Sequence, residues 1–154
     1  MAHYYEDFVV GQTFETPART ITEADLIMFA GMTGDNSALH TDEEHASKSL
    51  YGRRLVHGML VISLGMGLIS RTLVFEGTGI AILGLEKVEF RKAVFIGDTL
   101  NARFTIESLR ETSKPDRGIV VRKVDLYNQS GEIVATYAMT GLVLRRSAKQ
   151  TTSP

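Results

Sequence analysis

The segment from Leu55 to Ser70 constrains the fold more than any other part of the sequence. It carries no Asp, Glu, Lys or Arg and is bounded by Arg54 and Arg71. A bilayer span needs roughly 20 apolar residues, and this shorter segment also contains a histidine, so the sequence favours a buried helix. We predict a helix over residues 57–74 whose apolar side chains point in every direction around its axis. Such a helix has to be covered on nearly all sides.

Small residues interrupt this apolar helix at Gly58, Ser63, Gly65 and Gly67. Glycine lowers helix propensity because it loses the most backbone freedom when it is fixed. The sequence therefore predicts that another backbone approaches the helix closely at these positions.

Strand patterns dominate the second half of the sequence, where apolar stretches are separated by turn-forming residues. The predicted strands cover residues 80–90, 99–109, 119–127 and 133–144, and a further short strand covers residues 12–18. We expect the strands to be antiparallel, and a sheet of about five or six of them to wrap around the central helix in an α+β domain. One domain is expected over residues 1–146, with a disordered tail at residues 147–154.

Two shorter helices are predicted before the central one. Thr22 is a favourable N-cap with Asp25 at the third helical position, and this helix should end between Gly31 and Gly34. A turn region with the sequence DNSALHTD follows. A second short helix is then predicted over residues 43–50, with Thr41 or Asp42 as its cap.

Composition excludes several classes of protein. A net charge of -1, from 17 basic and 18 acidic residues, provides no basic face for a nucleic-acid backbone. The sequence has no cysteine, which rules out disulfides, thiolate metal sites and cysteine nucleophiles. The N-terminus lacks the pattern of a secretory signal. We expect a cytoplasmic protein with neither nucleic acid nor a membrane as its partner.

An acid/base pair is predicted in the turn region. Asp35 and His40 are separated by small and turn-forming residues, so the chain can aim a carboxylate and an imidazole at one spot. Addition of water across a polarised double bond requires one group to remove a proton from the water and another to deliver a proton to the neighbouring carbon. Two side chains on either side of one water molecule meet that requirement.

The start of the central helix is predicted to stabilise negative charge. Its first amide groups lack intrahelical acceptors and lie at the positive end of the helix dipole, where they could receive the charge that develops on a thioester carbonyl. Gly58 has no Cβ and lets a ligand approach this backbone closely.

These residues resemble the MaoC-like dehydratases, or (R)-specific enoyl-CoA hydratases, of the hot-dog fold. The matching residues are Asp35, Leu39 and His40, then Val56, His57, Gly58, Met59 and Leu60 at the head of the central helix, and the segment VEFRKAVFIGDTL at residues 88–100. The combination is specific although each part alone is not, and the resemblance spans roughly residues 8–144.

The resemblance implies that Asp35 and His40 hold and activate water. It also implies that Ser63 supports the site from the helix, that the Gly58 amide helps to bind the thioester oxygen, and that the reaction is syn hydration of a trans-2-enoyl thioester to an (R)-3-hydroxyacyl thioester. The site would lie in a tunnel at a dimer interface. Coenzyme A or acyl carrier protein would carry the substrate, and no metal or redox cofactor is expected.

The sequence departs from the family pattern at Ser37 and Ala38, where Asn and Pro are usual. This change removes a fixed φ angle before His40 and an amide that orients the site, and it affects the expected substrate range and rate more than the reaction type. Two other functions stay open. The chain is alternatively a hot-dog thioesterase, since one fold hosts several reactions, or a catalytically silent subunit that binds acyl thioesters.

Other candidate residues have simpler explanations. His57 is expected to support the site by a backbone hydrogen bond rather than to react. Ser37 is a weak candidate for substrate binding, as are the basic residues Lys48, Arg53, Arg54, Arg91 and Lys92, which could meet the phosphates of coenzyme A or could be ordinary surface charges. A metal site at His40, Asp42 and His45 is not expected because no convergent ligand set is apparent. The glycines at 77, 79 and 84 do not have dinucleotide-binding spacing.

Overall fold

A computed structural model of the protein describes residues 2–147. Four helices and six strands follow one another along the chain, after a single 3-10 turn at Tyr5–Asp7. In chain order they are β1 (Thr13–Glu15), β2 (Arg19–Thr20), α1 (Glu23–Thr33), α2 (Ala38–Thr41), α3 (Glu43–Ser47), α4 (Gly58–Ser70), β3 (Gly79–Phe90), β4 (Thr99–Glu111), β5 (Arg117–Tyr127) and β6 (Ile133–Leu144).

The strands form an antiparallel sheet with the order β1-β4-β5-β6-β3, and β2 pairs separately with β4. Alternate residues of β4 and β5, such as Phe104, Val120 and Val124, are buried against the helical side of the sheet. This is the hot-dog arrangement, and the α+β prediction is confirmed. The predicted N-terminal strand is instead two very short strands with a break between them.

Helix α4 is the central helix, shorter at its C-terminal end than predicted. Its buried face consists of Leu60, Val61, Ile62, Gly65, Leu68 and Ile69. At Gly65 the close neighbour is a side chain and not the predicted backbone, since an added Cβ would lie only 2.8 Å from Leu126 Cδ2. The prediction is wrong at Gly67, which faces open space in the single chain.

The expectation that α4 is covered on nearly all sides is also wrong for the single chain. Met59 is 56% exposed, and Ser63, Gly67 and Ser70 are exposed along the same side of the helix. Strand β3, which pairs only with β6, is exposed along almost its whole length. One side of the central helix and an apolar edge strand are therefore both left open.

The helices before α4 follow the predicted signals with two differences. Thr22 and Asp25 form a reciprocal capping box at the start of α1, and Gly34 ends that helix in the left-handed conformation at φ 77°. Asp42 is the cap of α3, which ends before the predicted residue 50. The predicted turn region contains a helical turn of its own, α2, so that His40 lies on a helix rather than in a loop.

The C-terminal prediction is tested only in part. Ser147 donates a hydrogen bond to the Pro115 carbonyl, and the rest of the predicted tail lies outside the described residues. Within residues 2–147, none of the helices has both the length and the apolar character needed to cross a bilayer.

Candidate active site

The structure brings Asp35 and His40 together with His57. A carboxylate oxygen of Asp35 and a ring nitrogen from each histidine all lie within 4.8 Å of one another. One water molecule can bridge two polar groups at such a separation. The Asp35 side chain is 53% exposed, so the carboxylate remains accessible. The predicted convergence of the acid/base pair at one spot is present.

A backbone carbonyl fixes the orientation of His40. Its Nδ1 lies 2.6 Å from the Leu55 carbonyl oxygen, and because a carbonyl only accepts, Nδ1 carries the hydrogen of this bond. The second ring nitrogen, Nε2, then carries the lone pair in the neutral ring. Leu55 also donates from its own amide to the Leu39 carbonyl at 3.1 Å. These two bonds hold α2 against the segment that precedes α4.

His57 holds Asp35, the other member of the pair, by a hydrogen bond to the Asp35 backbone. The Nε2 of His57 donates to the Asp35 carbonyl oxygen at 2.9 Å, while the Asp35 carboxylate lies 4.0 Å from the same nitrogen. His57 is only 2% exposed. This buried side chain therefore holds the Asp35 backbone in place, which agrees with the supporting role expected for His57.

Three rings pack together at the site. The centres of the His40 and His57 rings are 3.8 Å apart, and the two rings are stacked. The ring of Phe29, a residue of α1, has its centre 5.1 Å from that of His57. Sequence reasoning did not identify Leu55 or Phe29 as part of this site. Leu55 contributes only a carbonyl, which every residue has, and Phe29 occupies an ordinary apolar position of a helix, so neither gives a signal in the sequence.

Ser37 and Ala38, which replace the usual Asn-Pro pair, begin the helical turn α2. Ala38 is the first residue of α2, a position where proline is favoured because its missing N–H would have no helical acceptor. The Ser37 carbonyl accepts from the amides of His40 and Thr41. The helical turn that presents His40 thus forms without the proline.

The N-terminus of α4 lies next to this pair. In the described part of the chain, the amides of Gly58, Met59 and Leu60 have no hydrogen-bond acceptor, and the first helical bond runs from Val61 to His57. The Phe90 ring lies against the Cα of Gly58, where an added Cβ would be 2.9 Å from it. The Phe90 ring would therefore have to shift to admit a larger residue here. Binding of a thioester oxygen by the Gly58 amide stays a prediction.

Ser63 does not contact the pair. Its hydroxyl donates to the Met59 carbonyl one helical turn earlier at 2.8 Å, and within residues 2–147 no hydrogen bond joins it to Asp35 or His40. Ser63 lies instead on the exposed side of α4. Its support for the site stays a prediction.

A cavity of about 520 Å³ opens beside the start of α4, and Leu55, Gly58, Phe90, Arg91 and Lys92 are part of its lining. Asp35 and His40 are not among the residues that line this cavity. The cavity places two basic side chains within reach of a ligand that approaches the helix start.

The predicted phosphate-binding residues all have partners within the chain. Arg91 pairs with Glu89 and Lys92 with Glu132. Two carboxylates, Glu23 and Glu43, raise the pKa of Arg54 above its ordinary value through hydrogen bonds and charge. Arg53 lies over the Phe95 ring at 3.9 Å, and Lys48 is 3.9 Å from Glu44. Arg54 is thus largely neutralised, while the exposed pairs of Arg91 and Lys92 can exchange for phosphate at little cost.

The cluster of Asp35, His40 and His57 also contains the residue types that bind metals. The nitrogen of His57 nearest the carboxylate carries a hydrogen, which it donates to the Asp35 carbonyl, and a protonated nitrogen does not coordinate a metal. His40 likewise uses Nδ1 as a donor. The hydrogen bonds favour an acid/base site, and the expected absence of a metal stays a prediction.

Comparison with known proteins identifies the family. A family model described as MaoC like domain matches residues 7–128. The chain belongs to the MaoC-like family. It is 37% identical over 107 residues to the (R)-specific enoyl-CoA hydratase of Rhodospirillum rubrum, covering 70% of this chain and 72% of that protein.

The MaoC-like family also contains longer proteins. The chain is 38% identical over 118 residues to Protein MaoC of Klebsiella aerogenes, a match that covers 74% of this chain but only 33% of that protein. The crystal structure of the MaoC-like dehydratase from Rhodospirillum rubrum superposes with a TM-score of 0.84 at 29% identity, covering 94% of this chain and 99% of that one. The family resemblance implied by the sequence is confirmed.

Proposed function

We propose that the protein is an enoyl-thioester hydratase, acting in reverse as a 3-hydroxyacyl-thioester dehydratase. The observation that carries this proposal is the convergence of the Asp35 carboxylate and the His40 imidazole within 4.8 Å, with the free lone pair of His40 set by its bond to Leu55. The names of the related hydratase and dehydratase support it. Asp35 and His40 are the catalytic residues of the proposal.

The chemistry follows from these groups. The pair removes a proton from a shared water molecule, whose oxygen forms a bond to C3 of the enoyl thioester. The electrons of the double bond move toward the thioester oxygen, where the unpaired amides at the start of α4 stabilise the negative charge. A proton is then delivered to C2. Syn addition and an (R)-3-hydroxyacyl product complete the proposal, and both rest on the family resemblance.

The proposed reaction involves no change of oxidation state in the protein. Water supplies the oxygen, the pair handles both protons, and the helix amides act as the electrophile, so neither a metal nor a redox cofactor is required. Coenzyme A, or acyl carrier protein, takes part only as the thiol portion of the substrate. Arg91 and Lys92, at the cavity beside Gly58, are the proposed partners of its phosphates.

The protein is proposed to assemble at least as a homodimer. Strand β3 pairs on one side only and exposes large apolar side chains, namely Ile80, Ile82, Leu83, Leu85, Val88 and Phe90. A long apolar edge strand is a template for pairing with another chain. Light scattering should give at least twice the chain mass, and a chain that stays monomeric at micromolar concentration would contradict this part of the proposal.

Hydration of crotonyl-CoA tests the proposed reaction. The purified protein should remove the enoyl absorbance without releasing free thiol, and the product should be a substrate only for a dehydrogenase specific for (R)-3-hydroxyacyl-CoA. Release of free coenzyme A from saturated acyl-CoA would instead identify a thioesterase. Saturable binding of acyl-CoA with no turnover would identify a silent binding subunit.

A further inference from the structure

An arginine is buried at the opposite end of the central helix from Asp35 and His40. Arg122 is on β5, between Val120 and Val124, and points with them to the inner face of the sheet. Only 5% of its surface is exposed. Apolar residues occupy the inner-face positions on either side of it, which makes a fully charged side chain at this position unexpected.

The Arg122 guanidinium has no acidic partner. It lies 4.3 Å from the centre of the Phe75 ring, and its one hydrogen bond goes to the thioether sulfur of Met139. Its Nε has no hydrogen-bond acceptor, and among residues 2–147 no carboxylate lies within ion-pair distance. A thioether is a weak acceptor, so most of the donor capacity of the guanidinium is unused.

Burial without a partner is costly for this group. Desolvation lowers the pKa of Arg122 to about 10, which is still high enough for the side chain to be charged at neutral pH. The hydroxyl of the neighbouring Tyr137 is also buried without a hydrogen-bond partner. Unsatisfied buried polar groups are rare in folded proteins and require an explanation. A ligand with an acceptor group would provide one.

Arg122 forms part of the wall of a cavity of about 370 Å³ between the C-terminal half of α4 and the strands β3 and β6. Met66, Ile69, Phe75 and Ile82 make the rest of the wall largely apolar. Gly141 leaves room for the guanidinium, because a Cβ at this position would lie 3.2 Å from an Arg122 terminal nitrogen. Glu76 also lines the cavity but forms no ion pair with Arg122. The cavity thus joins an apolar wall to one buried cation.

The exposed side of α4 connects this cavity with the candidate active site. Met59, Ser63, Met66 and Ser70 follow each other at helical spacing along that side. With a rise of about 1.5 Å per residue, Met66 lies about 10 Å along the axis from Met59. A chain that leaves the start of α4 along this side therefore reaches the cavity of Arg122.

We propose that this cavity binds the distal carboxylate of an acyl thioester, so that the substrates are monothioesters of dicarboxylic acids rather than neutral acyl thioesters. This inference rests on the proposed function for the position of the thioester, and it assigns Arg122 as the residue that determines specificity. The apolar wall contacts the methylene groups, and the guanidinium forms a charge-assisted, two-bond pair with the carboxylate.

Binding of saturated esters tests the inference without requiring turnover. Calorimetry should compare succinyl-, adipoyl- and suberoyl-CoA with butyryl-, hexanoyl- and octanoyl-CoA, which match them in chain length. The wild-type protein should bind at least one acidic ester at least about tenfold more tightly than its neutral partner, because the carboxylate gains a buried, otherwise unpaired cation. Equal affinities, or preference for neutral esters at all three lengths, would overturn the inference.

Two variants show whether Arg122 is responsible. Arg122→Met keeps most of the side-chain volume and should abolish the preference for acidic esters. It should weaken the binding of acidic esters and leave the affinity for neutral esters within about threefold of wild type. Gly141→Ala should reduce the preference because its Cβ crowds the guanidinium. The matched control is Arg110→Met, which removes an exposed arginine of β4 and should keep the preference for acidic esters. A preference that survives Arg122→Met would overturn the inference.

The outcomes also separate this inference from the proposed function. Hydration of crotonyl-CoA with no preference for acidic esters would overturn the inference alone. Preferential binding of acidic esters with no hydration of any enoyl-CoA would overturn the hydratase proposal and keep the carboxylate site. A changed oligomeric state of Arg122→Met with an unchanged ligand preference would show that an acidic residue of a second copy pairs with Arg122, and would overturn the inference.

Discussion

The side chains near the two ends of helix α4 differ in their hydrogen-bond partners. At the N-terminal end, His40 donates to the Leu55 carbonyl and His57 donates to the Asp35 carbonyl, so both histidines are held by hydrogen bonds within the chain. At the C-terminal end, Arg122 is buried with only a thioether as acceptor. The first arrangement is organised before any ligand arrives, as acid/base chemistry requires. The second lacks a partner of opposite charge, as a binding site does before its ligand is bound.

The largest expected effect is loss of turnover at the N-terminal end. Asp35→Asn or His40→Ala should lower the hydration rate of crotonyl-CoA by at least about 10²-fold, because each removes one of the two groups that transfer protons. Thermal unfolding should be little changed for Asp35→Asn, whereas His40→Ala should also lose the stabilising hydrogen bond from His40 Nδ1 to the Leu55 carbonyl. The control is His45→Ala, which removes an exposed histidine of α3. Near-normal rates in either catalytic variant would refute the roles given to the pair.

Removal of the unpaired charge at the other end should stabilise the protein. Arg122→Met is expected to raise the free energy of unfolding by about 2 kcal/mol, since an isolated buried charge is replaced by an apolar side chain of similar volume. Denaturant unfolding at neutral pH measures this difference. A loss of stability would indicate that Arg122 already has an acidic partner, and the two ends of α4 would no longer differ.

The pH dependence of that difference has a definite sign. Burial lowers the pKa of Arg122 in the folded protein to about 10, below its value in the unfolded chain. The unfolded chain therefore binds more protons above this pH, and wild-type stability gains from Arg122 as the pH rises. The advantage of Arg122→Met should be constant below about pH 10 and shrink above it. Paired unfolding curves of the two proteins across this range check the prediction.

Substitution of His57 should lower kcat by less than substitution of Asp35 or His40, because His57 only positions Asp35. His57→Leu removes the donor to the Asp35 carbonyl and should lower kcat by about tenfold with little change in KM, because the carboxylate loses its fixed position. His57→Gln keeps an N–H donor near the same place and should recover most of this loss. If His57→Gln is as impaired as His57→Leu, the hydrogen bond is not the reason that His57 matters.

The smallest effects are expected at two glycines between the ends of α4. Gly65→Ala should cost about 1 kcal/mol of stability, because its Cβ would lie 2.8 Å from Leu126. Gly67→Ala faces open space in the single chain and should gain up to about 1 kcal/mol from helix propensity. Thermal unfolding distinguishes the two. A destabilising Gly67→Ala would indicate that a second copy covers this side of the helix.

Local signals in the sequence predicted much of the fold. The capping box at Thr22 and the apolar strand segments bounded by turn-forming residues depend on neighbours close in sequence, and both were found where they were expected. Boundaries were less accurate: the central helix ends at Ser70 rather than residue 74, and the turn before Asp42 contains a helix. Those limits depend on which backbone groups find partners in the folded chain.

The candidate site divides in the same way. The residue types and spacing of Asp35 and His40 indicated an acid/base pair, because their chemistry is carried by the side chains themselves. The carbonyl of Leu55 and the ring of Phe29 could not be identified, because their role depends only on where the fold places them. The Phe90 ring against Gly58 is likewise a neighbour that the sequence did not indicate.

By itself the sequence determined the apolar helix and the strands, and it indicated an acid/base pair in one turn, because periodicity, caps and side-chain type act over short distances. Only the tertiary structure decided which groups are satisfied and which are not. In the sequence, Arg122 is one of several charged residues on a predicted strand. Its burial beside Phe75 without a carboxylate arises from the packing of β5 against α4, and burial is what turns a common surface charge into a specific site.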